Sequence, residues 1–81
     1  MMLRDLIVAH MNRIASEQRL SLAPLTDDLV LLDSGLDSLG FAILAARLED
    51  ELGVDPFAEG EEIKVPVTLR DFVQTYENAR R

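Results

Sequence analysis

The chain has no cysteine. That excludes a disulfide framework, a cysteine-ligated zinc and a thiol nucleophile of its own. Histidine occurs once, at His10, so a multi-histidine metal site or a Ser-His-Asp triad is not expected, and no metal site is assigned. Aromatic residues number four (Phe41, Phe57, Phe72 and Tyr76), which makes the core mostly aliphatic. The longest unbroken apolar run, Phe41 to Ala46, is far too short to cross a bilayer. Charges are spread through the first twenty residues without a signal-peptide pattern. A cytoplasmic, non-enzymatic protein is the expectation.

Basic residues are also scarce, 8 against 15 acids, for a net charge of −7. The excess is local. Residues 27–62 hold eleven acids and one base, whereas 1–26 sum to +1 and 63–81 to +2. Such a field repels nucleic acid and anionic lipid and attracts basic protein surfaces, although a merely solvated acidic surface has the same composition. With 81 residues, 48% of them hydrophobic, the chain makes one packed domain over 1–81.

Periodicity predicts three main helices. The first spans about Met2 to Glu17, with Leu3, Leu6, Ile7, His10, Met11 and Ile14 on one stripe. The second spans Ser38 to Leu52 and stops at Gly53, a residue suited to a left-handed turn. The third spans Thr68 to about Ala79, opened by a capping box of Thr68 and Asp71 and carrying Leu69, Phe72, Val73 and Tyr76 inward. A long loop, about Leu20 to Asp37, joins the first two, with Leu29, Val30, Leu31 and Leu32 as apolar anchors. A short helical turn is expected near Phe57 to Glu62, with Pro66 separating it from the third helix. The fold class is all-α, a small antiparallel bundle of three main helices plus one short helix.

The second helix has two apolar sides. Phe41, Leu44, Ala45, Leu48 and Leu52 form a core stripe. Opposite them the spacing places Gly40, Ile43, Arg47 and Asp50, edged by Leu39, Ala42 and Ala46. That second face packs on the loop or docks a partner, and periodicity alone does not choose.

The segment Asp33-Ser34-Gly35-Leu36-Asp37-Ser38-Leu39 leads into this helix. Gly35 permits a tight or positive-φ turn. Asp37 is a candidate N-cap, which sets Ser38 at the first helical position. Its hydroxyl then lies beside free backbone N–H groups and the positive end of the helix dipole, where a phosphoryl group is stabilised. An Asp-Ser pair that only starts a helix is the bland alternative.

Gly35-Leu36-Asp37-Ser38-Leu39 resembles the phosphopantetheine attachment motif of the acyl carrier protein family. The resemblance covers nearly the whole chain: its length, its acidity, the long first loop, Leu48-Glu49-Asp50-Glu51-Leu52-Gly53 closing the second helix and Thr68-Leu69 opening the last. It implies a free-standing carrier, itself non-catalytic, with a covalent 4′-phosphopantetheine from coenzyme A on Ser38. The terminal thiol of that arm would hold acyl or aminoacyl cargo for a fatty-acid-like or specialised (polyketide, aminoacyl or lipid) pathway. Asp37, Leu39, Gly35 and Leu36 would complete the cofactor site. Leu39, Gly40, Ile43, Arg47 and Asp50 would meet partners: a phosphopantetheinyl transferase, a loading ligase or transferase, and downstream enzymes. The carrier would be a monomer. The competing reading is an unmodified acidic helical module that binds a basic protein. Carriers of general fatty acid synthesis show acids where this chain has Gly40 and Ile43, and Arg47 adds a positive charge, so specialised partners are expected.

Overall fold

A computed structural model describes residues 2–54, 56 and 66–79. Three α-helices follow in order: α1, Leu3–Gln18; α2, Ser38–Leu52; and α3, Leu69–Ala79. Among the described residues there is no strand, and one isolated antiparallel bridge joins Val30 to Thr68. The all-α expectation therefore stands, with each helix bound within a residue or so of its predicted limits. The short turn expected near Phe57 to Glu62 lies outside the described residues.

The ends of the helices follow from local chemistry. Asp37 caps α2 with backbone in the extended region, and its Oδ1 accepts the Gly40 N–H at 2.7 Å. Gly53, at φ 71°, closes α2 by donating to the Glu49 carbonyl. Thr68 and Asp71 form the expected reciprocal cap: Asp71 N–H donates to Thr68 Oγ1, and Thr68 N–H donates to Asp71 Oδ2, each at 3.1 Å. At the end of α1 the left-handed residue is Arg19, φ 58°, where no glycine announces it. An L-residue in that region costs about 1–2 kcal/mol.

Ile7, Met11 and Ile14 of α1, Leu44 and Leu48 of α2, and Leu69, Phe72 and Tyr76 of α3 make the core. His10 sits at the edge of its stripe, where its Nε2 meets Glu51 Oε2 at 2.7 Å. Arg47 reaches Glu17 at 2.7 Å in the same interface. Position 10 thus pairs with 51 and position 17 with 47, which makes α1 and α2 antiparallel neighbours. Helix α1 packs on both others, while α2 and α3 meet through the tilted ring pair Phe41–Phe72, 6.3 Å between centroids.

The long loop is stitched down along its length. Leu31 N–H donates to the Val67 carbonyl and Leu69 N–H to the Leu29 carbonyl, so the loop runs beside the start of α3. A three-residue 3-10 helix, Leu31–Asp33, follows. Of the four apolar anchors, Leu31 is buried and Leu29 and Val30 are half-buried. Leu32 is not an anchor: it is 92% exposed, because the tight turn that sends Leu31 inward sends its neighbour outward.

Candidate functional site

The approach to Ser38 is held by a series of separate contacts. Ser34 is fully buried; its Oγ donates to the Leu31 carbonyl at 2.7 Å and accepts the Leu36 N–H at 3.3 Å. The Ser34 carbonyl in turn accepts the Ala23 N–H at 2.9 Å. Gly35 then turns at φ 105°, where a Cβ would stand 2.4 Å from the Ser21 carbonyl oxygen, so the turn requires glycine both for its backbone angle and for space. Leu36 drops into the core and Asp37 caps the helix. Ser38 is left exposed at the first position of a 15-residue helix, followed by Leu39, 62% exposed.

Asp37 engages only the third N–H of the first turn, so the Ser38 and Leu39 N–H groups still point out of the helix end. These groups and the helix dipole favour an anionic group on the Ser38 oxygen. Helix α2 carries no basic residue before Arg47, so the backbone supplies that stabilisation.

The five residues assigned to partner contact divide. Leu39 and Asp50 are exposed, and Ile43 is half-buried against the core. Gly40 is buried, on the same line as Leu44 and Leu48, and not on the open side of the helix. The reason lies in the loop: Leu36 folds over the first turn, and a Cβ on residue 40 would come 2.9 Å from its Cδ2. Arg47 turns toward α1, with Nη2 donating to Glu17 and Nη1 buried without an acceptor among the described residues. The exposed strip of α2 is consequently Leu39, Ala42, Ala46, Glu49 and Asp50.

Charge is redistributed by folding. Arg4 donates to Asp27 Oδ1 at 2.8 Å and to the Leu25 carbonyl at 2.9 Å, and Arg70 lies 3.7 Å from Asp28 and 4.0 Å from Asp27. The Arg4 hydrogen bond holds the Asp27 carboxyl below its ordinary value of 3.8. The hydrogen bond from Arg47 likewise holds Glu17 below 4.5, with Arg13 assisting. Four arginines thus neutralise acids of α1 and the loop. Asp33, Asp37, Glu49 and Asp50 remain exposed around α2.

Beside this strip lies an open apolar groove of about 350 Å³, lined by Leu31, Leu32, Phe41, Ala42, Ala45, Pro66 and Phe72. Neither the groove nor the roles of Ser34, Ser21 and Leu32 is visible in local sequence, since each depends on where the loop lands. Among the described residues no cluster of acids and histidine fit to hold a metal ion occurs, and no helix is long and apolar enough to cross a membrane.

Residues 11–59, more than half of the chain, match the family of the phosphopantetheine attachment site. The chain belongs to that family of carrier proteins. No curated protein and no solved structure matches it. The family's covalent group is 4′-phosphopantetheine, and the mouth of α2 fits its phosphate: an exposed hydroxyl, outward N–H groups and a dipole of the right sign.

Proposed function

We propose that the chain is a carrier in which Ser38 bears the 4′-phosphopantetheine arm. It presents acyl or aminoacyl intermediates to the enzymes of a fatty-acid-like or specialised pathway. The observation that carries this reading is the setting of Ser38, exposed on the first turn of α2 behind a turn held by Ser34 and Gly35. The bound arm supplies a thiol, which the chain itself lacks, to hold cargo as a thioester. Tethering raises the local concentration of that cargo at each active site the arm can reach.

The chain's own residues orient and present. Gly35 and Leu36 set the direction of the turn. Asp37 fixes the first turn and, beside the modified oxygen, takes part in the metal-dependent transfer as the resemblance to acyl carrier proteins implies. Leu39 and Asp50 touch partners directly, with Ile43 at the edge of the same surface. Gly40 and Arg47 act from behind: the first admits Leu36, and the second ties α2 to Glu17. The partners are a phosphopantetheinyl transferase, a loading ligase or transferase, and downstream enzymes. Within this reading the protein works as a cytoplasmic monomer that catalyses nothing.

Intact mass after incubation with a broad-specificity phosphopantetheinyl transferase and coenzyme A tests the proposal. One phosphopantetheine group is expected on the unsubstituted chain and none on Ser38→Ala. A folded chain that gains no mass would instead favour an unmodified acidic module for a basic protein.

A further inference from the structure

Among the described residues Ser34 is the one buried polar residue that is not aromatic, at 0% exposure. Burying a hydroxyl is unfavourable unless it is bonded, and here every hydrogen-bonding group of the residue is engaged. The hydroxyl donates to the Leu31 carbonyl at 2.7 Å and accepts the Leu36 N–H at 3.3 Å. The backbone N–H donates to the same Leu31 carbonyl at 3.1 Å, and the Ser34 carbonyl accepts the Ala23 N–H at 2.9 Å. The Leu31 carbonyl is therefore satisfied without the hydroxyl. What the hydroxyl alone supplies is an acceptor for Leu36.

The Leu36 N–H belongs to the peptide that joins Gly35 to Leu36. A glycine leaves the peptide after it freer to turn than other residues do, and Gly35 stands at φ 105°. Ser34 reaches across that glycine and fixes the plane of the peptide beyond it. Two further contacts carry the orientation forward. Leu36 is buried and lies over the first turn of α2, where a Cβ on residue 40 would come 2.9 Å from its Cδ2. Asp37 caps the same turn through the Gly40 N–H. Ser38 follows, exposed. A buried hydroxyl four residues back is thus connected to the attitude of Ser38 while presenting nothing at the surface.

We infer that Ser34 is a positioning residue for the transfer reaction: through the Gly35–Leu36 peptide it holds the Ser38 hydroxyl in the attitude from which it attacks coenzyme A. The inference rests on Ser38 being the modified residue. In that step Ser38 Oγ bonds to the phosphorus that carries the pantetheine, and the pyrophosphate P–O bond breaks. Adenosine 3′,5′-bisphosphate leaves, and the hydroxyl proton is lost to a base of the transferase. Ser34 touches none of these groups. It acts on the rate of the step by limiting the orientations that Ser38 samples once the chain is bound.

Steady-state kinetics with a broad-specificity phosphopantetheinyl transferase and coenzyme A, the chain as varied substrate, test it at a temperature where circular dichroism shows every variant folded. Ser34→Ala should lower kcat roughly tenfold and leave KM within about twofold. Ser34→Thr keeps a hydroxyl at that position and should restore most of kcat. Ile14→Val, a buried change on α1, lowers stability without touching the loop and should leave kcat unchanged. An unchanged kcat in Ser34→Ala overturns the inference, as does an equal fall in Ile14→Val, since stability alone would then set the rate. So does a rise in KM at constant kcat, which would place the effect in docking, and so does a Ser34→Thr protein as slow as Ser34→Ala. Amide hydrogen exchange gives a second reading that needs no variant. The Leu36 N–H, outside every helix, should exchange as slowly as the core amides of α2, and fast exchange overturns the inference even if Ser34→Ala does not fold. Failure of the unsubstituted chain to be modified, with Leu36 protected, is a different result: it overturns the Ser38 reading beneath this one.

Discussion

Replacing Gly35 with alanine separates two costs that the structure assigns to different glycines. At Gly35 the backbone angle of φ 105° lies in a region that L side chains rarely adopt, and the added Cβ would meet the Ser21 carbonyl oxygen at 2.4 Å. Real contacts of this kind stay beyond 3.0 Å, so the two backbone stretches must part by at least about 0.6 Å. They are not free to part, because the Ala23 N–H is bonded to the Ser34 carbonyl and Ser34 is bonded to Leu31. Backbone strain of about 1–3 kcal/mol plus a displaced hydrogen bond of about 1 kcal/mol gives a loss of roughly 2–4 kcal/mol. A domain of this size has about 4–12 kcal/mol in all, so the expected fall in melting temperature is roughly 10–25 °C. Gly53→Ala is the internal control: φ is 71° but a Cβ would meet nothing within 4 Å, so only strain of about 1 kcal/mol remains. Thermal and urea unfolding followed by circular dichroism measure both. A Gly35→Ala protein no less stable than Gly53→Ala would refute the claim that the loop is locked against Ser21. The same variant should be modified more slowly at Ser38, since the turn that aims α2 has moved.

Other outcomes follow from single contacts. Ser34→Ala should cost about 1–2 kcal/mol in urea unfolding, because the Leu36 N–H loses its buried acceptor. Arg19→Gly should raise the melting temperature by a few degrees, since relief of about 1 kcal/mol of left-handed strain outweighs the entropy of the added glycine. Stability should decline in acid. Glu17 and Asp27 have folded values below the ordinary 4.5 and 3.8, so the stability they contribute is complete above those values and is lost as the pH falls through the lowered ones. Urea midpoints measured from neutral pH to about pH 3 should fall mainly below about pH 4.5, and Asp27→Asn should flatten part of that fall.

The helices were legible because their signals are local. Stripes at three and four residues, Asp37, Gly53 and the Thr68–Asp71 pair each act within one turn of chain, and the structure shows a cap or closure at all of them. The loop was not legible to the same degree. Leu31 and Leu32 are equivalent in sequence, yet one is buried and the other is 92% exposed, because the 3-10 helix and the bridge to Thr68 set their directions. Gly40 reads as part of an open face by spacing and is buried in fact, because Leu36 lies over it. Arg19 carries no sign of its left-handed backbone, since its side chain has no preference for that region. At the candidate site the residues of the motif could be named from sequence. The groups that hold the motif in place, Ser34 and the Ser21 carbonyl, are contributed by tertiary contact.

The carrier function proposed for this chain depends on Ser38 bearing the arm. The most direct measurement is fragmentation of the tryptic peptide spanning residues 20–47, after treatment with phosphopantetheinyl transferase and coenzyme A. That peptide holds three serines, Ser21, Ser34 and Ser38. The added mass is expected on Ser38, exposed at the helix mouth, and not on Ser34, whose buried hydroxyl is already bonded to Leu31. Added mass on Ser21 or Ser34, or a folded chain that takes up none, would contradict it.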